Sequence, residues 1–258
     1  MTTVGDILNF VETLAPRKMK MEWDNVGLLC GSKATQVTKV LVALDPFANV
    51  CEEARQIGAQ LIVTHHPLIF QTPKTITDET SIGRCIMLLC RHGISAINAH
   101  TNLDQAPGGV NDVLAQTLGL EHVQIINPVD GCGLLRCGEI KEQPLNAFLA
   151  SVKQKLGCQG LRYVDGGKPV RKVAVGGGSC AGGMLEALDA GCDTFVTADI
   201  KYNQFWDAQD LGMNLIDAGH FHTENPVVAV LADKIAAQFP EIQVEVSKTH
   251  TDCTKYFC

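Results

Sequence analysis

The sequence is short of positive charge, and this shortage limits the partners that the protein can have. Its 258 residues include 21 Lys and Arg against 28 Asp and Glu, which gives a formal net charge of −7. Nucleic-acid backbones and anionic membrane surfaces are bound through a positive face. The charge balance therefore disfavours nucleic acid as the main partner, although a local basic pocket for a phosphate remains compatible with it.

Long apolar runs are also missing. The longest ones, such as residues 85–90 and 227–232, fall far short of the roughly 20 residues that a membrane-spanning helix needs. The N-terminal residues have neither the basic region nor the apolar region of a signal peptide. We therefore expect a cytoplasmic protein with no membrane partner.

The cysteines lack the spacing of a disulfide scaffold or a metal-binding ribbon. There are eleven of them, an odd number, and no two form a CxxC pair. A secreted disulfide scaffold would be smaller and evenly paired. We expect free, mostly buried thiols in a reducing compartment.

What the sequence does contain is an internal repeat. Residues 39–66 align without a gap on residues 172–199, which lie 133 positions further along, with nine identical residues. Each copy has an apolar run (KVLVAL, KVAVGG), a helical stretch, a glycine and a second apolar run (QLIVT, DTFVT). Strand, helix and strand in this order predict a βαβ unit with a parallel sheet.

The repeat extends to a third predicted strand in each half, at residues 93–99 and 212–218. We predict an α/β fold of two similar, interleaved lobes from an internal duplication, with the metal site described below where the halves face each other. The first lobe is predicted at 1–127, with 225–258 packing on it, and the second at 128–258. Pro, Asp and Gly cluster at this division. Residues 138–163 are expected to add a strand and a helix to the second half.

Two histidines stand at the end of a predicted strand, where ligands bind in α/β sheets. His65 and His66 directly follow the run LIVT at residues 61–64. Neighbouring residues at a strand end point to opposite sides, so each imidazole can serve a different metal ion. Alone, the pair is more typical of surface or hydrogen-bonded histidines.

Each half also has a histidine and an acid four residues apart after its third strand. These pairs are His100 with Asp104 and His220 with Glu224. Such a separation places both side chains on one face of a helical turn, as in the metal-binding histidine pairs of zincins. For either pair alone, a helix N-terminus capped by an acid explains the pattern as well.

Together, the six residues favour a pair of metal ions. All lie at carboxyl ends of predicted strands, so we expect them to converge. Four imidazoles and two carboxylates are too many donors for one tetrahedral zinc and suit two ions bridged by a carboxylate and a water. Nitrogen and oxygen donors fit Zn, Fe, Mn, Co or Ni, and the pattern does not distinguish these metals.

A glycine-rich turn at residues 176–183 suggests a second type of ligand. It follows a strand and opens a helix, so its amides can cradle a phosphate. Asp199, about twenty residues further on, imitates the ribose-binding acid of a dinucleotide fold. The turn departs from the G-x-G-x-x-G pattern, however, so close packing of helix on strand is the favoured role. A nicotinamide-dependent oxidoreductase is the weaker interpretation.

Six stretches of the chain carry a further signal. They are WDNVGLLCG (23–31), LIVTHHPLIF (61–70), GISAINAHTNLDQAPGGVNDVLAQTLGL (93–120), VAVGGGS (173–179), TADIKY (197–202) and DAGHFHTE (217–224). These stretches resemble the GTP cyclohydrolase 1 type 2 homologue family, also called NIF-three-like proteins. They run in family order across nearly the whole chain, and the HHP and GHxxTE elements are the most specific.

The resemblance implies metal ligands at five of the residues already noted, and a homo-oligomeric assembly. The ligands are His65, His66, Asp104, His220 and Glu224. It also implies that His100 lies beside the metals as a less regular ligand, and that the chains assemble into toroidal homohexamers. The family name implies opening of the imidazole ring of GTP with release of formate.

These observations predict a cytoplasmic, metal-dependent hydrolase with two divalent metal ions per chain. A metal-bridging hydroxide would attack a nucleotide-like small molecule, and His100 or His250 would move a proton. His222 is out of register with the ligand pair and is expected to have another role. Two other classes stay open: a metal-stabilised regulatory or scaffold protein without turnover, and a metal chaperone.

Overall fold

Helices and strands alternate along most of the sequence, as expected of an α/β protein. The computed structural model describes residues 1–257. Within these residues the helices are α1 (Val4–Leu14), α2 (Ala48–Ile57), α3 (Ser81–Arg91), α4 (Thr101–Gln105), α5 (Val110–Leu118), α6 (Leu145–Leu156), α7 (Met184–Asp189), α8 (Tyr202–Asp210), α9 (His220–Glu224) and α10 (Pro226–Gln238). The strands are β1 (Gly27–Cys30), β2 (Lys39–Ala43), β3 (Leu61–Thr64), β4 (Ser95–Asn98), β5 (Glu121–Ile125), β6 (Arg136–Gln143), β7 (Arg162–Val164), β8 (Val170–Val175), β9 (Thr194–Thr197), β10 (Asn214–Asp217) and β11 (Gln243–Val246).

The described chain divides into two compact units. The first comprises residues 1–103 and 228–251, and the second comprises residues 104–227 and 252–257. The sequence analysis placed the division at residue 127. Residues 104–127 belong to the second unit because α5 packs against α6, β6 and β8.

The first unit is built on a sheet with the strand order β1-β4-β3-β2-β11. Strands β4, β3, β2 and β11 are parallel, and β1 runs antiparallel to β4 at one edge. Helices α2 and α3 pack against this sheet and against each other. All four residues of β3 are buried, which fits a central parallel strand covered on both faces.

The second unit is built on a sheet with the strand order β5-β6-β8-β9-β10-β7. Strands β8, β9 and β10 are parallel. The remaining strands, β5 and β6 at one end and β7 at the other, pair in antiparallel fashion. Strand β6 and helix α6 are the strand and helix that the sequence analysis predicted within residues 138–163.

The predicted duplication is visible in the register of the parallel strands. Val40 of β2 lies opposite Leu61 of β3, and Val173 of β8 lies opposite Thr194 of β9. Both members of the second pair stand 133 positions after those of the first, which is the spacing of the sequence repeat. The two copies therefore share their strand pairing as well as their order of elements, and the predicted α/β fold is confirmed.

Each unit has its own apolar core. In the first unit, Leu41 and Ile62 of the sheet pack with Leu89 of α3. In the second unit, Phe148 of α6 packs on one group of strand residues and Phe195 of β9 belongs to a separate cluster. These cores fix the carboxyl ends of the parallel strands, from which the candidate site residues project.

Within residues 1–257, ten cysteines are free, and six of them are buried. None of the helices formed by these residues is long and apolar enough to cross a membrane.

Glu53 fastens the segment after β11 to helix α2 in the first unit. Its buried carboxylate accepts hydrogen bonds from the hydroxyl of Ser247 at 2.5 Å, the backbone N–H of Lys248 at 2.9 Å and the hydroxyl of Thr249 at 2.8 Å. Burial works to raise the pKa of Glu53, but these hydrogen bonds outweigh it and lower the pKa below its usual range. The charged form is therefore favoured in the folded state.

We expect Glu53→Gln to lower the free energy of unfolding by about 1–2 kcal/mol at pH 7, because two hydroxyl groups and a backbone N–H lose a charged acceptor. The folded pKa lies below the unfolded value of about 4.3, so the stabilisation is present above that value and is lost as the pH falls through the folded pKa. Urea unfolding at pH 7 and pH 3 checks this. The repeat counterpart Glu186 is exposed, so Glu186→Gln serves as the control. Equal destabilisation by Glu53→Gln at both pH values would contradict a role for the charge.

Candidate metal centre

Three histidines come together at the carboxyl ends of β3 and β4 in the first unit. His65 and His66 follow β3, and His100 follows β4 two residues after Asn98. One ligand atom from each lies within 4.8 Å of the others. The ring centroids of His65 and His66 are 4.8 Å apart, and that of His100 is 5.2 Å from His65. The register of the parallel strands brings the three side chains together.

Each of these imidazoles is oriented through its Nδ1 atom. Nδ1 of His65 donates to the backbone oxygen of Ala99 at 3.0 Å, and Nδ1 of His66 donates to Asp45 Oδ1 at 2.7 Å. Nδ1 of His100 donates to Asp24 Oδ1 at 2.8 Å. A carbonyl or carboxylate can only accept, so in the neutral form of each imidazole the ring lone pair is at Nε2. Holding one nitrogen in this way is how proteins direct the other toward a metal ion.

Asp45 orients two histidines at once. While Oδ1 accepts from His66, Oδ2 accepts from Nε2 of His250 at 2.9 Å. Burial works to raise the pKa of this carboxyl, but the hydrogen bonds from His250 and His66 outweigh it and hold the pKa well below its usual range. His66 and His250 are therefore linked through the two oxygens of one carboxylate.

Asp24 plays the same part for His100. It is buried, and Thr101 donates to its Oδ2 from the backbone N–H at 3.0 Å and from the hydroxyl at 2.5 Å. Burial works to raise the pKa of Asp24, but the hydrogen bonds from His100 and Thr101 lower it to about 2. The carboxylate is thus ionised and fixed when it accepts from His100.

The second unit brings together one histidine and two carboxylates. His220 Nε2 lies 3.0 Å from Glu224 Oε2 across one turn of α9. An Asp104 oxygen and a Glu224 oxygen lie within 4.8 Å of each other, and both residues are buried. His220 Nδ1 donates to Asp199 Oδ2 at 2.8 Å, so this imidazole is oriented by a carboxylate as well. Asp199, at φ 52°, adopts the left-handed conformation that few non-glycine residues take.

The glycine-rich turn after β8 provides the space that the Glu224 carboxylate occupies. A Cβ atom on Gly178, whose φ is +61°, would lie 2.1 Å from Glu224 Oε1 and 3.0 Å from His220 Nε2. A Cβ atom on Gly177 would lie 3.1 Å from Glu224 Cγ. At this part of the turn, the glycines are needed for close approach of the site residues.

Hydrogen bonds tie the same turn to the helices that bear the acids. Gly178 N–H donates to Thr223 Oγ1 at 3.0 Å, and Gly177 N–H donates to Asn111 Oδ1 at 2.7 Å. Asn111 in turn donates from Nδ2 to the backbone oxygen of Asp104 at 3.1 Å. These bonds use the turn amides for protein contacts, which disfavours the phosphate-cradle interpretation.

The outer glycines of this turn also allow close packing, here against Leu135, the residue before β6. Cβ atoms on Gly176 and Gly183 would lie 2.6 Å and 2.5 Å from carbon atoms of Leu135. The structure also disfavours the nicotinamide interpretation, because the Asp199 carboxylate, its candidate ribose-binding group, accepts a hydrogen bond from His220.

The donor atoms present fit divalent transition-metal ions. Imidazole nitrogens and carboxylate oxygens are the usual ligands of such ions in catalytic sites. The first unit offers the three imidazoles described above. The second offers one imidazole and two buried carboxylates, and burying such carboxylates is costly unless a cation or hydrogen bonds compensate. The donor chemistry is therefore that of a metal site.

A model of a known protein family matches nearly the whole chain. The model for Duf34/NIF3 (NGG1p interacting factor 3) matches residues 2–253. This chain belongs to the Duf34/NIF3 family.

Relatives and solved structures agree with membership of the Duf34/NIF3 family. The chain is 37% identical over 255 residues to a GTP cyclohydrolase 1 type 2 homolog of Clostridium perfringens, which covers 96% of this chain and 97% of the relative. A Bacillus cereus protein related to NIF3 superposes with a TM-score of 0.93 at 26% identity, and a Staphylococcus aureus hypothetical protein with 0.92 at 31%. Both alignments cover 99% of each chain. The resemblance stated from the sequence is confirmed.

Two further histidines considered in the sequence analysis, His250 and His222, lie outside the ligand groups described above. His250 contacts Asp45, so its predicted role in proton transfer, like that of His100, stays a prediction. His222 donates from Nδ1 to the backbone oxygen of Leu156 at 3.1 Å, and its Nε2 lies 3.3 Å from Asp252. This agrees with the expectation that His222 has a different role.

The sequence analysis missed the carboxylates that orient the histidines. Asp24 and Asp45 carried no prediction, and Asp199 was considered only as a ribose-binding acid. A usable signal was present, because Asp45 directly follows the β2 run and Asp199 follows β9, at carboxyl ends of parallel strands. Such positions favour residues that serve the site.

Proposed function

We propose that this Duf34/NIF3 protein is a dinuclear metal-dependent hydrolase acting on a nucleotide-like substrate. The observation that carries the proposal is the donor set of each unit: three anchored imidazoles in the first, and one anchored imidazole with two buried carboxylates in the second. The residues that would hold two divalent cations are His65, His66, Asp104, His220 and Glu224, with His100 adjacent. The name of the Clostridium perfringens relative, GTP cyclohydrolase 1 type 2 homolog, supports a nucleotide as the substrate class.

Divalent cations held by these residues would supply Lewis acidity for activating a water molecule near neutral pH. The remaining work is done by the chain itself. Asp45, Asp24 and Asp199 fix the orientation of three imidazoles and keep their lone pairs at Nε2. Gly178 leaves room for the Glu224 carboxylate. Such preorganisation means that the ligands need not rearrange when substrate arrives.

Turnover by metal-loaded protein tests the proposal. Protein stripped with a chelator and reloaded separately with Zn, Mn, Fe(II), Co or Ni is incubated with GTP, and loss of GTP and release of formate are followed. A parallel set of phosphoester and amide substrates covers other hydrolytic specificities of the same site. We expect turnover with at least one metal, and we expect Glu224→Gln to reduce it at least about 100-fold, since a ligand that bears charge is lost.

Glu186→Gln is the matched control, because Glu186 is an exposed acid of the same unit, on α7. It should keep the wild-type rate. Full metal loading with no turnover of any substrate would overturn the hydrolase proposal and favour the metal-stabilised scaffold. An equal loss of turnover in Glu186→Gln and Glu224→Gln would likewise overturn the role given to Glu224.

A further inference from the structure

A pocket of about 590 Å³ opens at the carboxyl ends of β2 and β3 in the first unit. Its walls come from residues 45–47 after β2, residues 67–75 after β3 and the first residues of α3. The volume lies within the range of small-molecule sites. It exceeds that of a few waters and is large enough for a nucleoside.

Two exposed phenylalanines line this pocket. Phe47 and Phe70 are 56% and 54% exposed and lie in the wall of one concave pocket, and apolar side chains grouped in this way are typical of a ligand-binding groove. The Phe47 ring contacts His250, and the Phe70 ring contacts His100 and Trp23, with centroid distances of 5.7 to 6.2 Å. The aromatic side chains thus extend from the pocket to the proposed metal site. Aromatic faces of this kind stack planar rings.

The polar part of the lining connects the pocket to the histidines. Asp45 lines the pocket and is the residue that accepts from His66 and His250. A molecule in the pocket can therefore contact Asp45, which is hydrogen-bonded to His66. Lys74 is the cationic residue among the described lining residues, and Thr72, Thr75, Thr80 and Ser81 contribute hydroxyl groups.

We propose that this pocket binds the heteroaromatic base of the substrate, a purine-type nucleotide whose base stacks on Phe47 and Phe70 and whose phosphate is attracted by Lys74. The proposal rests on the proposed function for its claim that the occupant is the substrate. The apolar walls disfavour a free sugar or inorganic phosphate as occupant, and the lysine favours an anionic molecule over a neutral one. The adjacency of Asp45 and His66 places the base beside the residues that would hold the metal ions.

The test uses binding to metal-free protein, which separates it from turnover. Calorimetric titration of chelator-treated protein with GMP should give saturable binding, and ribose 5-phosphate and inorganic triphosphate should bind far more weakly. Phe47→Leu and Phe70→Leu keep an apolar side chain but remove the aromatic face, and each should weaken GMP binding about tenfold. Lys74→Ala should weaken GMP binding about threefold and leave guanosine binding unchanged.

Tyr163→Leu is the matched control, because Tyr163 is a half-exposed aromatic residue of β7 in the second unit. It should bind GMP as wild type does. Wild-type affinity in both phenylalanine variants, equal affinity for GMP and ribose 5-phosphate, or no GMP binding would each overturn the pocket assignment. Glu224→Gln should reduce turnover at least about 100-fold yet keep GMP binding. Failure of the hydrolase proposal alone would show as metal-loaded wild-type protein that binds GMP but turns over no substrate.

Discussion

Gly178→Ala is expected to lower the affinity of the protein for divalent metal by about 100-fold. The new Cβ atom would lie 2.1 Å from Glu224 Oε1 and 3.0 Å from His220 Nε2, so two proposed ligands would have to move. Glu224 is 4% exposed and has little room in which to move. The φ of +61° adds strain for any residue with a side chain. Competition between the protein and a chromophoric chelator for zinc measures the affinity.

The same turn offers the control. A Cβ atom on Gly182 would meet nothing within 4 Å, and Gly182 is not among the glycines with positive φ. Gly182→Ala should therefore bind metal as wild type does, and both variants should be compared by thermal unfolding in the presence of a chelator. Gly178→Ala protein that is folded and binds metal with wild-type affinity would contradict the close approach that we assign to this turn.

The histidines and acids of the candidate site could be picked out from the sequence because their signals are local. His65 and His66 directly follow an apolar run, and the pairs His100/Asp104 and His220/Glu224 each span a single helical turn. The repeat added a second signal, since the same pattern follows the third strand of each half. The order of strands and helices along each repeat, and the candidate site residues, could thus be proposed from short windows of sequence.

The histidine partners of the orienting carboxylates could not be predicted in this way. Asp24 is 76 residues from His100 in sequence, and Asp45 is 205 residues from His250. Such pairs form only after β-strand pairing has brought loops from different strands together. Asp199 has the additional feature of a positive φ, for which the sequence TADIKY gives no indication.

The edge strands were also absent from the sequence predictions. β1 pairs antiparallel with β4 through an irregular register, and β11 pairs in parallel with β2 after the chain has passed through residues 104–227 of the second unit. The residues of β11, QVEV, are mostly exposed or half-buried, so they lack the apolar run that marks a central strand. Their place is decided by contacts distant in sequence.

The second large effect is expected from removing one ligand from each unit. In a His65→Ala/Glu224→Gln double variant, one imidazole and one carboxylate are lost, and glutamine keeps the shape of the buried glutamate. Neither ion then keeps its full ligand set, so we expect the bound metal to fall to near zero. A His92→Ala/Glu186→Gln variant removes the same chemical groups at exposed positions and should keep its metal.

Elemental analysis of untagged protein, purified without a chelator, tests the central claim most directly. We expect about two transition-metal ions per chain in wild type and in the His92→Ala/Glu186→Gln control, and near none in the His65→Ala/Glu224→Gln variant whose fold is verified by circular dichroism. Wild-type protein that stays metal-free after incubation with Zn, Mn and Fe(II), or a double variant that keeps both ions, would contradict the dinuclear centre.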